Sequence, residues 1–253
     1  MGGLGNQLFQ IAAAYAHSQR IGEELVLDYN LCYTPNQGEV GTKYDSFLYY
    51  QLTKGAVNSS LRIYEEPSFC YEPIPSCRNI ILKGYFQSWK YFYDVKSIIQ
   101  SIFVPPLNIL LETQKLLNQI GILDGQFNAI HVRRGDYQNF KDTFHILDHS
   151  YYSHCLKVFK KNGLPTLVFS DEPEHARNVI NDNSCYLINT GDERIDFCLM
   201  RQATNIAIAN SSFSWWAAFL LENKDKIVFA PKNWFQKSEM STRDLIPDGW
   251  ICT

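Results

Sequence analysis

The stretch FNAIHVRRGDY, residues 127–137, decides the fold. It opens on a short apolar run and closes on glycine and charge, which reads as a buried strand running into a turn. The pattern recurs downstream at TLVFS (166–170), CYLI (185–188), NIAIA (205–209) and KIVFA (226–230). Helical stretches fall between these runs. Ser150 opens one that reaches about Lys160, Pro173 suits the first turn of the next, a third runs from Glu193 to Ala203, and SFSWWAAFLLE makes a fourth. Strands alternating with helices predict a parallel sheet covered on both faces. Ligands of such sheets sit beyond the carboxyl ends of the strands. That rule singles out the residues just after 132, 170 and 209.

Upstream the signal is weaker. Leu8, Phe9, Ala12, Ala13, Tyr15 and Ala16 form the apolar stripe of a first helix, with Asn6 as its expected N-cap and Gly22 as its stop. LVLD (25–28) and IILK (80–83) read as strands, and 94–101 and 107–119 as helices. Residues 34–79 are turn-rich and aromatic, without a clear period. GILDGQ (121–126) marks an expected boundary between an N-terminal α/β domain, 1–123, and a C-terminal one, 124–253, whose tail packs back on the N-terminal half.

Composition narrows the function classes. At about 150 residues per domain, 253 residues make one to two domains. Apolar residues are 45% and charged ones 19%, as in a globular chain. The net charge of −3 gives no support to phosphate-driven nucleic-acid binding. Seven cysteines, an odd number without a CxxC pair, point to reduced thiols in a cytosolic protein. The N-linked glycosylation patterns at Asn58 and Asn210 suit a secreted chain only behind a signal peptide, and MGGLGNQLFQ has no basic n-region. No apolar run reaches the roughly 18 residues of a membrane span.

Several clusters carry chemistry. Gly2-Gly3-Leu4-Gly5-Asn6 precedes a helix, where close backbone approach and free N–H groups suit an anion; a tight turn is the plainer reading. His131 and Arg133 share one strand face, while Arg134 points the other way. A guanidinium holds two phosphate oxygens at once and the imidazole adds a donor; the plainer reading is an Arg134–Asp136 ion pair. Asp171 ends the next strand, either as an acceptor for the paired donors of guanine or as a helix cap ahead of Pro173. Ser211, Ser212 and Phe213 open a helix and supply hydroxyls and N–H groups, again for an anion or simply for capping. Trp215 and Trp216 read as core. GYFQSWKYFYD (84–94) offers rings for sugar faces or, more commonly, for packing. There is no DxD pair, GxSxG elbow or Walker loop. His145, His149, His154 and Cys155 match no common zinc spacing.

GGLGNQLFQIA, GYFQSWKYF, HVRRGDY, VFSDE, IANSSFSWWAAFLL, APKNWF and IPDGWI occur here in the order found in the α-1,2-fucosyltransferases of glycosyltransferase family 11, which this chain closely resembles. The resemblance implies a GT-B-like α/β enzyme with two Rossmann-like halves facing a cleft, the first half acceptor-side and the second donor-binding. It implies inverting transfer from GDP-L-fucose to the 2-hydroxyl of a terminal β-galactoside, as in O-antigen assembly, with no metal. His131 and Arg133 then hold the pyrophosphate, Ser211, Ser212 and Phe213 form the phosphate-side loop, Gly5 and Asn6 face the donor, and Asp171 contacts guanine. Asp136 is the candidate base, level with a role in orienting Arg134; Asp142 and His145 are the fallback. The loop 137–149 is the expected acceptor-facing segment.

Two rival readings stay open: a GDP-fucose-dependent transferase of another linkage, and a catalytically silent sugar-nucleotide or glycan-binding protein. The expected location is cytoplasmic, with peripheral contact at the inner face of the membrane. In the family the GGxGNQ loop follows a β-strand, and here only Met1 precedes Gly2. A first strand of about 5–6 residues is therefore expected to be missing, through a late start or a truncated chain.

Overall fold

The structure, a computed structural model, describes residues 2–31, 41–57, 60–140, 142–221, 223, 225–236 and 241–253. The chain divides into two compact units, residues 1–106 with 240–247 and residues 107–239 with 248–253.

In the first unit, helix α1 spans Leu4–Ile21 and buries Leu8, Phe9, Ala12, Ala13 and Ala16, the predicted stripe. Gly22 ends it in the left-handed conformation, with φ of 68°. Its N-cap is Gly3 and not the expected Asn6, which sits a turn inside and accepts a hydrogen bond from Gln87 Nε2 at 2.7 Å. Strands β1 (Arg62–Glu65) and β2 (Ile80–Lys83) pair in parallel, Arg62 opposite Ile80. LVLD does not form the expected strand: Leu27 makes one isolated parallel bridge to Lys54. Short turns of 3₁₀-helix at Trp89–Tyr91 and Tyr93–Val95 lead into α2, Lys96–Ile102. Phe86, Tyr91 and Phe92 are buried, so half of the GYFQSWKYFYD rings pack the interior, while Tyr85 and Tyr93 are exposed. Asp244, 7% exposed, accepts from Tyr71 N–H at 3.2 Å and pairs with Lys90, which fastens 241–247 to this unit.

The second unit begins with α3, Leu107–Gln119, which packs on α6. The expected 123/124 boundary falls between α3 and the sheet. Six parallel strands follow: β3 (Asn128–Val132), β4 (Thr166–Ser170), β5 (Tyr186–Ile188), β6 (Asn205–Ala207), β7 (Val228–Ala230) and β8 (Ile251–Cys252). Their spatial order is β5-β4-β3-β6-β7-β8. This is the doubly wound dinucleotide-fold order, with the reversal between β3 and β6. The described residues of the first unit carry only the β1–β2 pair, so the Rossmann order is a finding for the second unit.

Four helices clothe the second sheet together with α3: α4 (His149–Phe159), α5 (Pro173–Ile180), α6 (Glu193–Gln202) and α7 (Ser212–Phe219). Asp148 caps α4 by accepting from Ser150 N–H at 2.9 Å, one residue ahead of the expected start. β3 is buried at all five positions, as a central parallel strand must be. Ile130 and Val132 pack with Tyr151, Tyr152, Leu156, Phe159 and Val179 of α4 and α5. The alternate residue His131 meets Phe213 of α7 on the other face, with ring centroids 5.9 Å apart. Trp215 and Trp216 are wholly buried, as expected. Strand β8, two exposed residues, was not expected.

Candidate functional site

The reversal of strand order leaves a crevice beyond the carboxyl ends of β3 and β6, flanked by β4. Each of the three strand ends delivers chemistry. After β3 come Arg133, Arg134 and Gly135; after β4 comes Asp171; after β6 come Asn210, Ser211 and the start of α7. The parallel register explains the convergence, because Val132 stands opposite Ser170 and the next residues emerge side by side.

Arg133 Nη1 lies 2.9 Å from Asp171 Oδ2, with both side chains partly exposed. Asp171 Oδ1 also accepts the Arg134 backbone N–H at 3.2 Å. A Cβ on Gly135 would stand 2.3 Å from Asp171 Oδ2, so only glycine admits the carboxylate here. Tyr137 lies under the Arg133 guanidinium, 5.5 Å from ring centroid to guanidinium carbon, within cation–π range. Its hydroxyl donates to the Asn210 carbonyl at 2.8 Å and its ring stacks on Phe144 at 4.2 Å. Asn210 Nδ2 donates to the carbonyls of His145 and Trp234, at 2.7 and 2.8 Å. One amide thus ties two loops to the β6 edge. Asn210 is 1% exposed.

His131 is 5% exposed and its Nδ1 has no hydrogen-bond partner. Burial first, and the Arg133 charge second, push its pKa down to about 3, so the ring is neutral at physiological pH. A neutral imidazole still donates one N–H. Arg134 pairs with Glu172 at 3.4 Å, while the alternative Arg134–Asp136 pair rests on a side chain outside the described residues. Gln138 holds the other Glu172 oxygen at 2.8 Å. Asp171 does not cap α5, whose N-cap is Glu172. Ser211 is the N-cap of α7 and makes no side-chain cap bond, so the first N–H groups of that helix, after the carboxyl end of β6, have no intrahelical partner and no cap from Ser211.

The structure therefore gathers His131, Arg133, Asp171, Ser211, Ser212 and Phe213 at one end of the second sheet. Gly5 and Asn6 lie in the first turn of α1, in the first unit. The side chain of Asp136 lies outside the described residues. Of the fallback acids and bases, Asp142 is exposed and His145 Nδ1 pairs with Gln236 Oε1 at 3.0 Å. Gly135, Tyr137 and the Asn210 side chain were not singled out from sequence. Gly135 had a signal, a glycine directly after two strand-end arginines; Tyr137 had none. The four crowded metal-ligand candidates separate: His149 bonds the Val179 carbonyl and His154 packs on Phe229. Among the described residues no group of three His, Cys, Asp or Glu is placed to hold a metal ion. Among them, too, no helix is long and apolar enough to cross a membrane.

The sequence profile of glycosyl transferase family 11 matches residues 49–253. An alpha-1,2-colitosyltransferase of Escherichia coli is 29% identical, covering 99% of this chain and 96% of its own. The O-antigen biosynthesis glycosyltransferase WbnK of Escherichia coli is also 29% identical, covering 99% and 97%. A galactoside 2-alpha-L-fucosyltransferase of Caenorhabditis elegans is 25% identical, covering 98% and 76%. Among solved structures, NodZ alpha-1,6-fucosyltransferase soaked with GDP-fucose superposes with a TM-score of 0.56 over 87% of this chain and 90% of that one. At 16% identity that likeness speaks to the fold, a GT-B-like one.

Proposed function

We propose that this chain, which belongs to glycosyl transferase family 11, transfers L-fucose from GDP-L-fucose to the 2-hydroxyl of a terminal β-galactoside, with inversion, in glycan assembly of the O-antigen kind. The observation that carries the reading is Arg133, paired with Asp171, at the switch point of a dinucleotide-type sheet, where α7 opens after the neighbouring strand β6. The names of several relatives support the choice of sugar and linkage. They also make the donor sugar a variable, since one relative is a colitosyltransferase.

Chemically, the C1–O bond to the diphosphate breaks and the leaving GDP gains negative charge. The Arg133 guanidinium, the His131 N–H and the N–H groups at the start of α7, with Ser211, Ser212 and Phe213, stabilise that charge from fixed positions, without a metal. On donor binding, Arg133 turns from Asp171 to the diphosphate, and Asp171 is freed for the paired donors of guanine. Gly5 and Asn6 are assigned to the donor as well. Asp136 takes the proton from the acceptor hydroxyl. The first unit holds the acceptor.

The test is GDP-fucose turnover with lactose, with the linkage of the product read by NMR, and GDP-colitose run in parallel. Fucose on O2 of galactose supports the proposal. Product at another hydroxyl overturns the linkage, and donor binding without turnover overturns the activity.

A further inference from the structure

A shallow, open depression of about 350 Å³ lies at the carboxyl edge of the β1–β2 pair, in the first unit. It is lined by Glu65, Glu66, Ser68 and Phe69, which follow or end β1, and by Lys83 and Tyr85, which end or follow β2. No part of it belongs to the Arg133 cluster. Its size lies in the range of small-ligand sites, and its place obeys the strand-end rule for parallel sheets.

The lining defines the ligand class. Most of the wall is apolar, and Tyr85, a residue 38% exposed, is part of the lining. Lys83 is paired with Glu65 at 2.6 Å, which leaves the Glu66 carboxylate as the excess charge. A phosphate or nucleotide is disfavoured in such a place. Glu66 is anchored by accepting the N–H groups of Tyr85 and Phe86, at 2.7 and 2.9 Å, both through Oε2. Its second oxygen is thus a fixed acceptor. Gly84 makes room for this, since a Cβ there would stand 2.4 Å from Glu66 Cβ. Phe86, a buried aromatic residue, is held at a φ of 51°, which non-glycine residues seldom adopt. The result is a set of hydroxyl acceptors beside an aromatic face. A neutral polyhydroxylated ring, with an apolar C–H face and hydroxyls at its edge, matches both.

We infer that this depression is a saccharide subsite for the acceptor glycan, with the Tyr85 ring stacked on a sugar face and Glu66 accepting from its hydroxyls. The inference rests on the transferase reading for the identity of the sugar, and on the depression alone for the existence of the site.

The test uses the full chain and three variants, Tyr85→Ala, Tyr85→Phe and Glu66→Gln. Lactose binding is read by saturation-transfer NMR, independently of turnover, and kinetic constants are read with GDP-fucose. Tyr85→Ala is expected to abolish the lactose signal and raise the lactose KM about tenfold, with kcat and GDP affinity within twofold of the parent. Tyr85→Phe keeps the ring and is expected to bind like the parent, which separates stacking from misfolding. Glu66→Gln is expected to raise KM severalfold. Lactose binding lost in Tyr85→Ala in a protein that does not transfer fucose would uphold the subsite and overturn the activity. Fucosyl transfer with an unchanged KM in Tyr85→Ala, equal losses of GDP and lactose affinity, or no lactose binding by the parent chain would each overturn the subsite.

Discussion

Gly135→Ala isolates the contact that sets the Arg133 side chain. The added Cβ would lie 2.3 Å from Asp171 Oδ2 and 3.1 Å from its Cγ. The carboxylate must retreat by roughly an ångström to reach ordinary contact distance. In doing so it leaves the Arg134 N–H, a charge-assisted bond of about 1.5–3 kcal/mol. It also loosens the Arg133 ion pair, which is partly exposed and contributes about 0.2–1 kcal/mol. The expected loss of stability is about 1.5–3 kcal/mol, read from urea unfolding, with GDP bound about tenfold more weakly because the displaced Asp171 carboxylate no longer meets guanine. The cause is tested by a double-mutant cycle. In Asp171→Ala the nearest remaining atom of residue 171 is its Cβ, 3.9 Å from the new methyl, an ordinary contact. Gly135→Ala should therefore cost under about 0.5 kcal/mol in that background, a coupling above about 1 kcal/mol. Additive costs, within about 0.5 kcal/mol, would show that the carboxylate is not what excludes a side chain at 135.

Three further outcomes follow from the same cluster. Arg133→Lys keeps the charge and loses the two-pronged donor, so GDP affinity should fall about tenfold or more with little change in fold stability; titration calorimetry returning the parent affinity would remove Arg133 from the diphosphate site. His131 stays neutral in the folded chain to about pH 3, while the unfolded chain takes up its proton below the ordinary 6.5. Stability should therefore decline as pH falls from about 6.5 towards 3, by up to ~1.4 kcal/mol per pH unit from this one group, and urea midpoints of His131→Gln between pH 6 and 4.5 should show a shallower slope than the parent's. Asp136→Asn should leave GDP binding intact and cut turnover by about 10²–10⁴-fold; intact turnover rejects Asp136 as the base.

What sequence revealed and what it hid divide along physical lines. TLVFS and Leu107–Gln119 were legible to the residue because each is bounded by turn or cap residues and carries its own period. LVLD carries the same apolar run and is not a strand, because a strand exists only where a partner runs alongside, and Leu27 finds one bridge. Asn6 has the right chemistry for a cap, but the extended backbone of Gly3 sets the helix start and Gln87, far along the chain, occupies the Asn6 side chain. The strand-end rule located the Arg133, Asp171 and Ser211 clusters from order alone. It could not show that Asp171 holds Arg133, since that depends on the register of β3 against β4. Nor could spacing show that Tyr137 and Asn210 brace the cluster, because each acts on a segment remote in sequence.

The route of the backbone between the two units sets a timetable for biosynthesis. The chain crosses from the first unit to the second at 106/107, returns at 239/240 and crosses again at 247/248. The segment 241–247, fastened through Asp244, is translated after strands β3 to β7 of the second unit, and β8, which extends the second sheet, comes later still. Neither unit can reach its final form until residues 241–252 have left the ribosome. Stepwise folding of one finished domain after another during translation is therefore denied to this chain. Its apolar strands must wait, and chaperone demand during synthesis should exceed that of a protein whose domains are contiguous in sequence.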